Sequence, residues 1–133
     1  MANRLPMGKR APAPGFTLVE LLVVMTIIGL LLSIVAPRYI GTLERSKETA
    51  LKQDLAVMRE AISNFHQDQS RYPESLEELV QKRYLRAVPV DPVTDRVDTW
   101  VSVYSTDPAE QGVVDVSSGA KGATGDGVPF QEL

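Results

Sequence analysis

The run FTLVELLVVMTIIGLLLSIVA, residues 16–36, is 21 residues long and holds a single charged side chain, Glu20. At about 1.5 Å of rise per residue, a helix of this length covers close to the ~30 Å hydrocarbon layer of a bilayer, so the run reads as a membrane-crossing helix. Its one acid is the anomaly. A carboxylate at the centre of a spanning helix costs roughly 2.5 to 3.5 kcal/mol on insertion scales and less near its end, so such a group is retained where something answers its charge. The expectation is a partner outside this chain; the blander alternative is that Glu20 only reaches back toward the headgroups.

Working outward, the head before the run carries Arg4, Lys9 and Arg10 and no acid, the composition of a cytoplasmic end. Beyond the run, Arg38, Arg45 and Lys47 lie within about 15 residues of the membrane end, so Lys/Arg counting is a tie and orientation needs another argument. The first 36 residues are head plus apolar run, which leaves 97 for one small domain. There is no cysteine, which excludes a disulfide, a thiolate zinc site and a lipid-attachment motif. Net charge is −3, and −6 without the three head cations, so nothing points to nucleic acid.

After Pro37 the pattern changes from uniformly apolar to periodic. Leu51, Leu55, Met58, Ile62 and Phe65 recur at alternating steps of four and three, while Glu44, Lys47, Glu48, Lys52, Asp54, Arg59 and Glu60 fill the other positions. That is an amphipathic helix to about Gln67. Only Pro37 and Gly41 interrupt the path from the apolar run, so the two parts read as one helix of roughly 50 residues, kinked or locally loosened there. Ser75-Leu-Glu-Glu78 is a capping box that starts a short second helix over about 75–82, with Glu74, Glu77 and Glu78 placed to favour its dipole. Pro89, Asp91 and Pro92 impose an extended connection with fixed bends. Residues 99–105 and 113–117 are valine-rich and read as two antiparallel strands, with Trp100, Ser102 and Tyr104 on one face. So small a sheet is stable only when packed on a helix, and the stripe ending at Phe65 is the surface for it. The fold class is therefore α+β, with an irregular Gly- and Ser-rich tail from Ser117 to Leu133.

The remaining side chains offer no catalytic constellation. His66 is the sole histidine and falls at a helix end, Trp100 and Tyr104 are expected to fill the sheet–helix core, and there is no nucleophile elbow or phosphate loop. No enzyme activity is expected. A secretory signal is a poor description of the apolar run, which exceeds the usual ~7–15 residues of such a core and has bulky Ile34 where a small residue is needed. A plain membrane anchor explains its length but not the conjunction of Gly15-Phe16 with Glu20.

That conjunction resembles a known family. A basic head, Gly15, Phe16, Thr17, Leu18, Val19, Glu20, and an apolar run with Pro37 at the twenty-second position counted from Phe16 resemble the processing site of type IV pilins and of the pseudopilins of type II secretion. Downstream, Arg71-Tyr72-Pro73, Leu76, Leu79, Tyr84-Leu85, Val88-Pro89, Asp91-Pro92 and Trp100 look like the periplasmic domain of the major, G-type pseudopilin. The resemblance implies a pilin-like fold with a cleaved leader over 1–15, a transmembrane and polymerisation helix over 16–36, and a periplasmic domain over 37–133. It further implies cleavage by a prepilin peptidase between Gly15 and Phe16, methylation of the new Phe16 amine, and pairing of Glu20 with the terminal amine of an adjacent subunit. Pro37 stands where the motif has its proline and is counted with the assembly residues. Orientation follows: a single pass through the inner membrane, with the C-terminal domain in the periplasm. The implied partners are further copies of the chain in a filament, the peptidase, an inner-membrane assembly platform, minor pseudopilins, and lipid before assembly. A pilin of type IV pili and a monomeric membrane-tethered binding domain are the alternatives. The family's G-type tail usually holds calcium through several acidic residues, whereas residues 118–127 offer one carboxylate, Asp126, beside Lys121, with Asp115 and backbone carbonyls as further oxygens. Calcium takes about six to eight oxygen ligands. The expectation is no required cofactor, with Asp126 as the candidate ligand.

Overall fold

A computed structural model describes residues 3–5, 8 and 13–133 of the chain. The head cations Lys9 and Arg10 lie outside the described residues. The chain divides into two compact units, residues 1–39 and 40–133. Helix α1, Leu18–Gln69, is 52 residues long and its helical assignment continues through Pro37. Proline has no N–H, so one rung of the hydrogen-bond ladder is missing there.

In the first unit the helix is apolar on every side, and residues 16–36 are all exposed. A helix hydrophobic all round requires an apolar surrounding, either lipid or other helices. In the second unit α1 becomes amphipathic, as its sequence period demands. Leu51, Leu55, Met58, Ala61, Ile62 and Phe65 are buried and form one cluster with Leu76, Leu79, Leu85, Val113 and Val116. Helix α2, Leu76–Gln81, contributes Leu76 and Leu79 to that cluster. Ser75 is its N-cap, with Oγ accepting from the Glu78 N–H. The Glu78 carboxylate does not return to Ser75 as a full capping box would; it accepts from the Glu74 N–H at 2.6 Å and from the Arg71 guanidinium. The helix start is thereby tied to the preceding turn.

Strands β1, Trp100–Tyr104, and β2, Val113–Ser118, form a two-stranded antiparallel sheet that covers the α1 stripe. The pairs run Trp100 with Ser118, Ser102 with Val116 and Val103 with Asp115, and the register then slips so that Tyr104 faces Val113. That bulge explains why the buried residues of β2 are Val113, Val116 and Ser118 rather than a strict alternation. It also corrects one expectation. Trp100 is half-buried against the core and donates its indole N–H to the Pro89 carbonyl at 2.7 Å, but Tyr104, beyond the slip at the strand end, is 61% exposed and fills no core. The tail is irregular as expected apart from a single 3-10 turn, Phe130–Glu132.

Two glycines are required by close approach. A Cβ at Gly119 would lie 2.3 Å from the Thr99 carbonyl oxygen, which accepts the Gly119 N–H; one at Gly112, where φ is +131°, would meet Tyr72 and Pro73 at 2.8 Å. Gly119→Ala should therefore destabilise the second unit by about 1–3 kcal/mol, the usual cost of overpacking. Thermal unfolding of the purified chain checks it, and an unchanged midpoint would contradict the close approach.

Candidate functional site

The head of α1 is built from residues 13–20. Alanine 13 to Thr17 precede the helix, and Thr17 caps it: Oγ1 accepts the Glu20 N–H at 3.1 Å, and the Thr17 carbonyl accepts from the Leu21 N–H at 3.1 Å. Glu20 closes the loop, its Oε2 accepting from the Thr17 N–H at 3.1 Å. Thr17-Leu-Val-Glu20 is thus a reciprocal capping box, which satisfies two of the donors that every helix start leaves unpaired. The expectation that Glu20 finds its partner outside the chain needs correcting to that extent. A neutral N–H already occupies one carboxylate oxygen. The pattern Thr-x-x-Glu ahead of an apolar run is the sequence signal for this box, and it is independent of the cost of a charge in lipid, which points to a partner outside the chain.

The box leaves a full negative charge in place, because an amide N–H brings no compensating unit charge. Glu20 borders a shallow surface recess lined by Phe16, Val19, Val23 and Val24. Phe16 is 89% exposed, and apart from Gly15's chain neighbours no atom of the described residues comes within 4 Å of where a Gly15 Cβ would sit, so among the described residues the Gly15–Phe16 bond lies open. Farther along the run, Thr26 donates its hydroxyl to the Leu22 carbonyl at 2.8 Å and Ser33 to the Leu30 carbonyl at 2.7 Å. Those hydroxyls are satisfied within the helix and carry little cost in an apolar setting. Glu20 is the one charged group between Phe16 and Pro37, and Pro37 closes the run about 25 Å along the helix from it at ~1.5 Å per residue. Phe16 and Glu20 border the same recess, Gly15 lies just ahead of it in the chain without lining it, and Pro37 stands apart from them.

The second unit contains polar nodes that hold structure. Asp91 is fully buried, its Oδ2 accepting from the Ser118 hydroxyl at 2.6 Å and Oδ1 from the Val93 N–H at 2.8 Å, which pins the 89–96 turn to the end of β2. Arg59 on α1 donates Nε to the Asp115 carboxylate at 2.8 Å and Nη2 to the carbonyls of Val116 and Leu133. The bond from Arg71 holds the Glu78 carboxyl below its ordinary range, against the effect of partial burial. His66, in the last turn of α1, stacks on Tyr72 with ring centroids 4.2 Å apart and has Nε2 3.6 Å from Glu110 Oε1. This is a helix-end packing role.

Burial pushes the Asp54 carboxyl above its ordinary range, and the negative charge of Asp91 acts in the same direction. A raised folded-state pKa means that the native state holds this proton more tightly than the unfolded chain. Its contribution to stability is full below the unfolded pKa and is lost as pH rises through the folded one. Asp54→Asn should therefore raise the thermal midpoint by a few degrees near neutral pH, with the gain shrinking as the pH falls through the range where Asp54 protonates. Melting curves across pH check it; a constant gain at every pH would mean that charge is not the cause.

The loop that would hold calcium does not fit that ion. Asp126 is exposed, Asp115 is engaged by Arg59 and the Val116 N–H, and Lys121 lies in the same loop. Among the described residues no three His, Asp or Glu side chains come together as a metal site. Calcium selects several charged oxygens, and this donor set supplies one uncommitted carboxylate.

Comparison with known proteins gives two adjoining matches. Residues 12–36 match the model of the prokaryotic N-terminal methylation motif, and residues 38–129 match the model of type II secretion system (T2SS), protein G. Among curated relatives named type II secretion system core protein G, that of Vibrio cholerae is 31% identical over 90% of this chain and 88% of its own. The Pseudomonas aeruginosa relative is 31% identical over 88% of this chain and 90% of its own, and that of Klebsiella michiganensis 29% over 91% and 89%. No solved structure gives a significant match.

Proposed function

This chain belongs to the family of type II secretion system protein G, and from that premise we propose that it is a structural subunit of a secretion pseudopilus, assembled from the inner membrane to carry proteins across the outer membrane. It acts by packing rather than by catalysis. The observation that carries the reading is the arrangement at the head of α1, where an accessible Gly15–Phe16 bond and a capped, still anionic Glu20 open a fully exposed apolar helix.

A prepilin peptidase cuts after Gly15, and the amine released on Phe16 is methylated and remains cationic. Glu20 Oε2 keeps its own Thr17 N–H, while Oε1, which accepts nothing among the described residues, receives the ammonium of an adjacent subunit. Two charges brought together in an apolar setting offset a desolvation cost that either alone would leave uncompensated, and they fix the axial register of one helix against the next. The contact is heterologous, head of one copy against head of another at a different height, so repetition yields an open filament rather than a closed ring. Residues 37–133 then lie in the periplasm, with the chain crossing the inner membrane once before assembly. Its other partners are the assembly platform and minor pseudopilins.

Mass spectrometry of the mature N-terminus tests this directly. A terminus at methyl-Phe16 is expected. An intact Met1, or a start at Pro37 from cleavage after Ala36, would overturn the processing scheme.

A further inference from the structure

The segment from Gly119 to Leu133 is poor in secondary structure and rich in glycine, yet it covers part of the core through Phe130 and Leu133. Something must hold it. Its internal hydrogen bonds link only its own residues: the Thr124 N–H donates to the Val128 carbonyl at 2.8 Å, the Val128 N–H to Thr124 Oγ1 at 3.2 Å, the Gly127 N–H to the Thr124 carbonyl at 2.9 Å and the Phe130 N–H to the Gly122 carbonyl at 3.1 Å, with two more in the closing 3-10 turn. The Thr124 and Phe130 bonds form a single antiparallel bridge between Ala123 and Pro129, and the Gly127 bond closes the turn at its tip. Two contacts reach outward to α1. At the far end Arg59 donates to the Leu133 carbonyl at 2.7 Å while its Nε is held by Asp115. At the loop tip Glu48 Oε1 accepts the Gly125 N–H at 2.6 Å. A Cβ at Gly125 would sit 3.7 Å from the same Oε1, so the loop backbone lies directly against the carboxylate.

The loop tip is thus already gripped by an anion from outside it. A cation seated in the loop would draw carbonyl oxygens and carboxylates inward, whereas the Glu48 contact uses an N–H, the opposite polarity of backbone group. The two modes of closure ask different things of residues 118–127, and this sequence meets the demands of the second: one acid, one lysine, and glycines that let the backbone approach a helix side chain. A carboxylate accepting a backbone N–H is a charge-assisted bond, among the stronger kinds.

We propose that Glu48 and Arg59 of α1 form a metal-free latch that closes the C-terminal loop of this subunit, so that its folded second unit is independent of calcium. The inference rests on the family reading only for the place where a metal would otherwise sit, and its test reads the fold rather than secretion. Failure of filament assembly would leave it standing.

The test uses the full-length chain in detergent, with amide exchange and thermal melting recorded in excess calcium and after chelation. The expected result is the same melting midpoint and the same exchange pattern in both. In Glu48→Ala, exchange at Gly125 and its loop neighbours should speed up about tenfold, the factor that matches loss of a ~1.4 kcal/mol contact. Glu48→Gln, whose amide oxygen still accepts, should retain most of the protection. A midpoint that falls on chelation and returns with calcium would overturn the proposal. So would loop exchange that is unaffected by Glu48→Ala.

Discussion

Glu20→Ala should abolish pseudopilus assembly while leaving leader cleavage intact. The size of the effect separates the two roles of this carboxylate. As the N3 member of the Thr17–Glu20 box it contributes on the order of 1 kcal/mol to the helix start, a loss that a 52-residue helix tolerates. On the proposed assembly it is also the counter-charge to a neighbour's ammonium, repeated at every subunit contact. Removing it leaves a cation in an apolar interface, a defect of roughly 3–5 kcal/mol per contact by analogy with broken buried pairs. Such a loss multiplied along a filament leaves monomers. Glu20→Gln sharpens the test, because the amide oxygen can still accept the Thr17 N–H but carries no charge. Filaments counted by electron microscopy or by cross-linking should be missing in both variants, with the processed chain present on immunoblots. If Glu20→Gln assembled normally, capping rather than charge would be the role of this residue, and a membrane-tethered monomer would regain ground if Glu20→Ala kept full function.

Asp91→Ala should cost the second unit about 3 kcal/mol or more, a large share of the ~5–15 kcal/mol that a domain commonly holds. Truncation strands the Ser118 hydroxyl and the Val93 N–H in a fully buried site and leaves a void beneath the 89–96 turn. The Asp91 backbone bonds to Arg96 and Asp95 persist, so the turn itself survives and the loss falls on its attachment to β2. Asp91→Asn keeps an acceptor for the Val93 and Thr94 N–H groups that Oδ1 holds and should recover part of the difference. Chemical denaturation of the three proteins gives the ordering; equal stabilities would show that the buried carboxylate holds nothing.

What could be read from the sequence and what could not follows the range of the interactions involved. The apolar run and the stripe from Leu51 to Phe65 are local periodicities, and α1 and its buried face follow from them directly. The Ser75 cap and the two strands were equally local. Tyr104 departs from its expected place in the core because strict alternation ends at a one-residue slip on β2, which no property of the β1 residues announces. The Arg59 contacts with Asp115, Val116 and Leu133 join residues more than fifty positions apart, as do Glu48 and Gly125. Side chains that charge patterning assigns to the solvated face of α1 turn out to hold the chain's far end. At the head of α1 the Thr17–Glu20 box is a three-residue spacing legible in the sequence, whereas the cost of a charge in lipid points only to a partner outside the chain.

The bonds at the start of α1 run entirely between Thr17, Glu20 and Leu21, and the amide that feeds Glu20 belongs to the peptide link joining Phe16 to Thr17. The cleavage proposed above, one link earlier, would sever none of them. On that proposal the precursor and the trimmed chain share the same helix origin, and processing exchanges a neutral amide for a cationic terminus while leaving the cap at Thr17 and Glu20 intact.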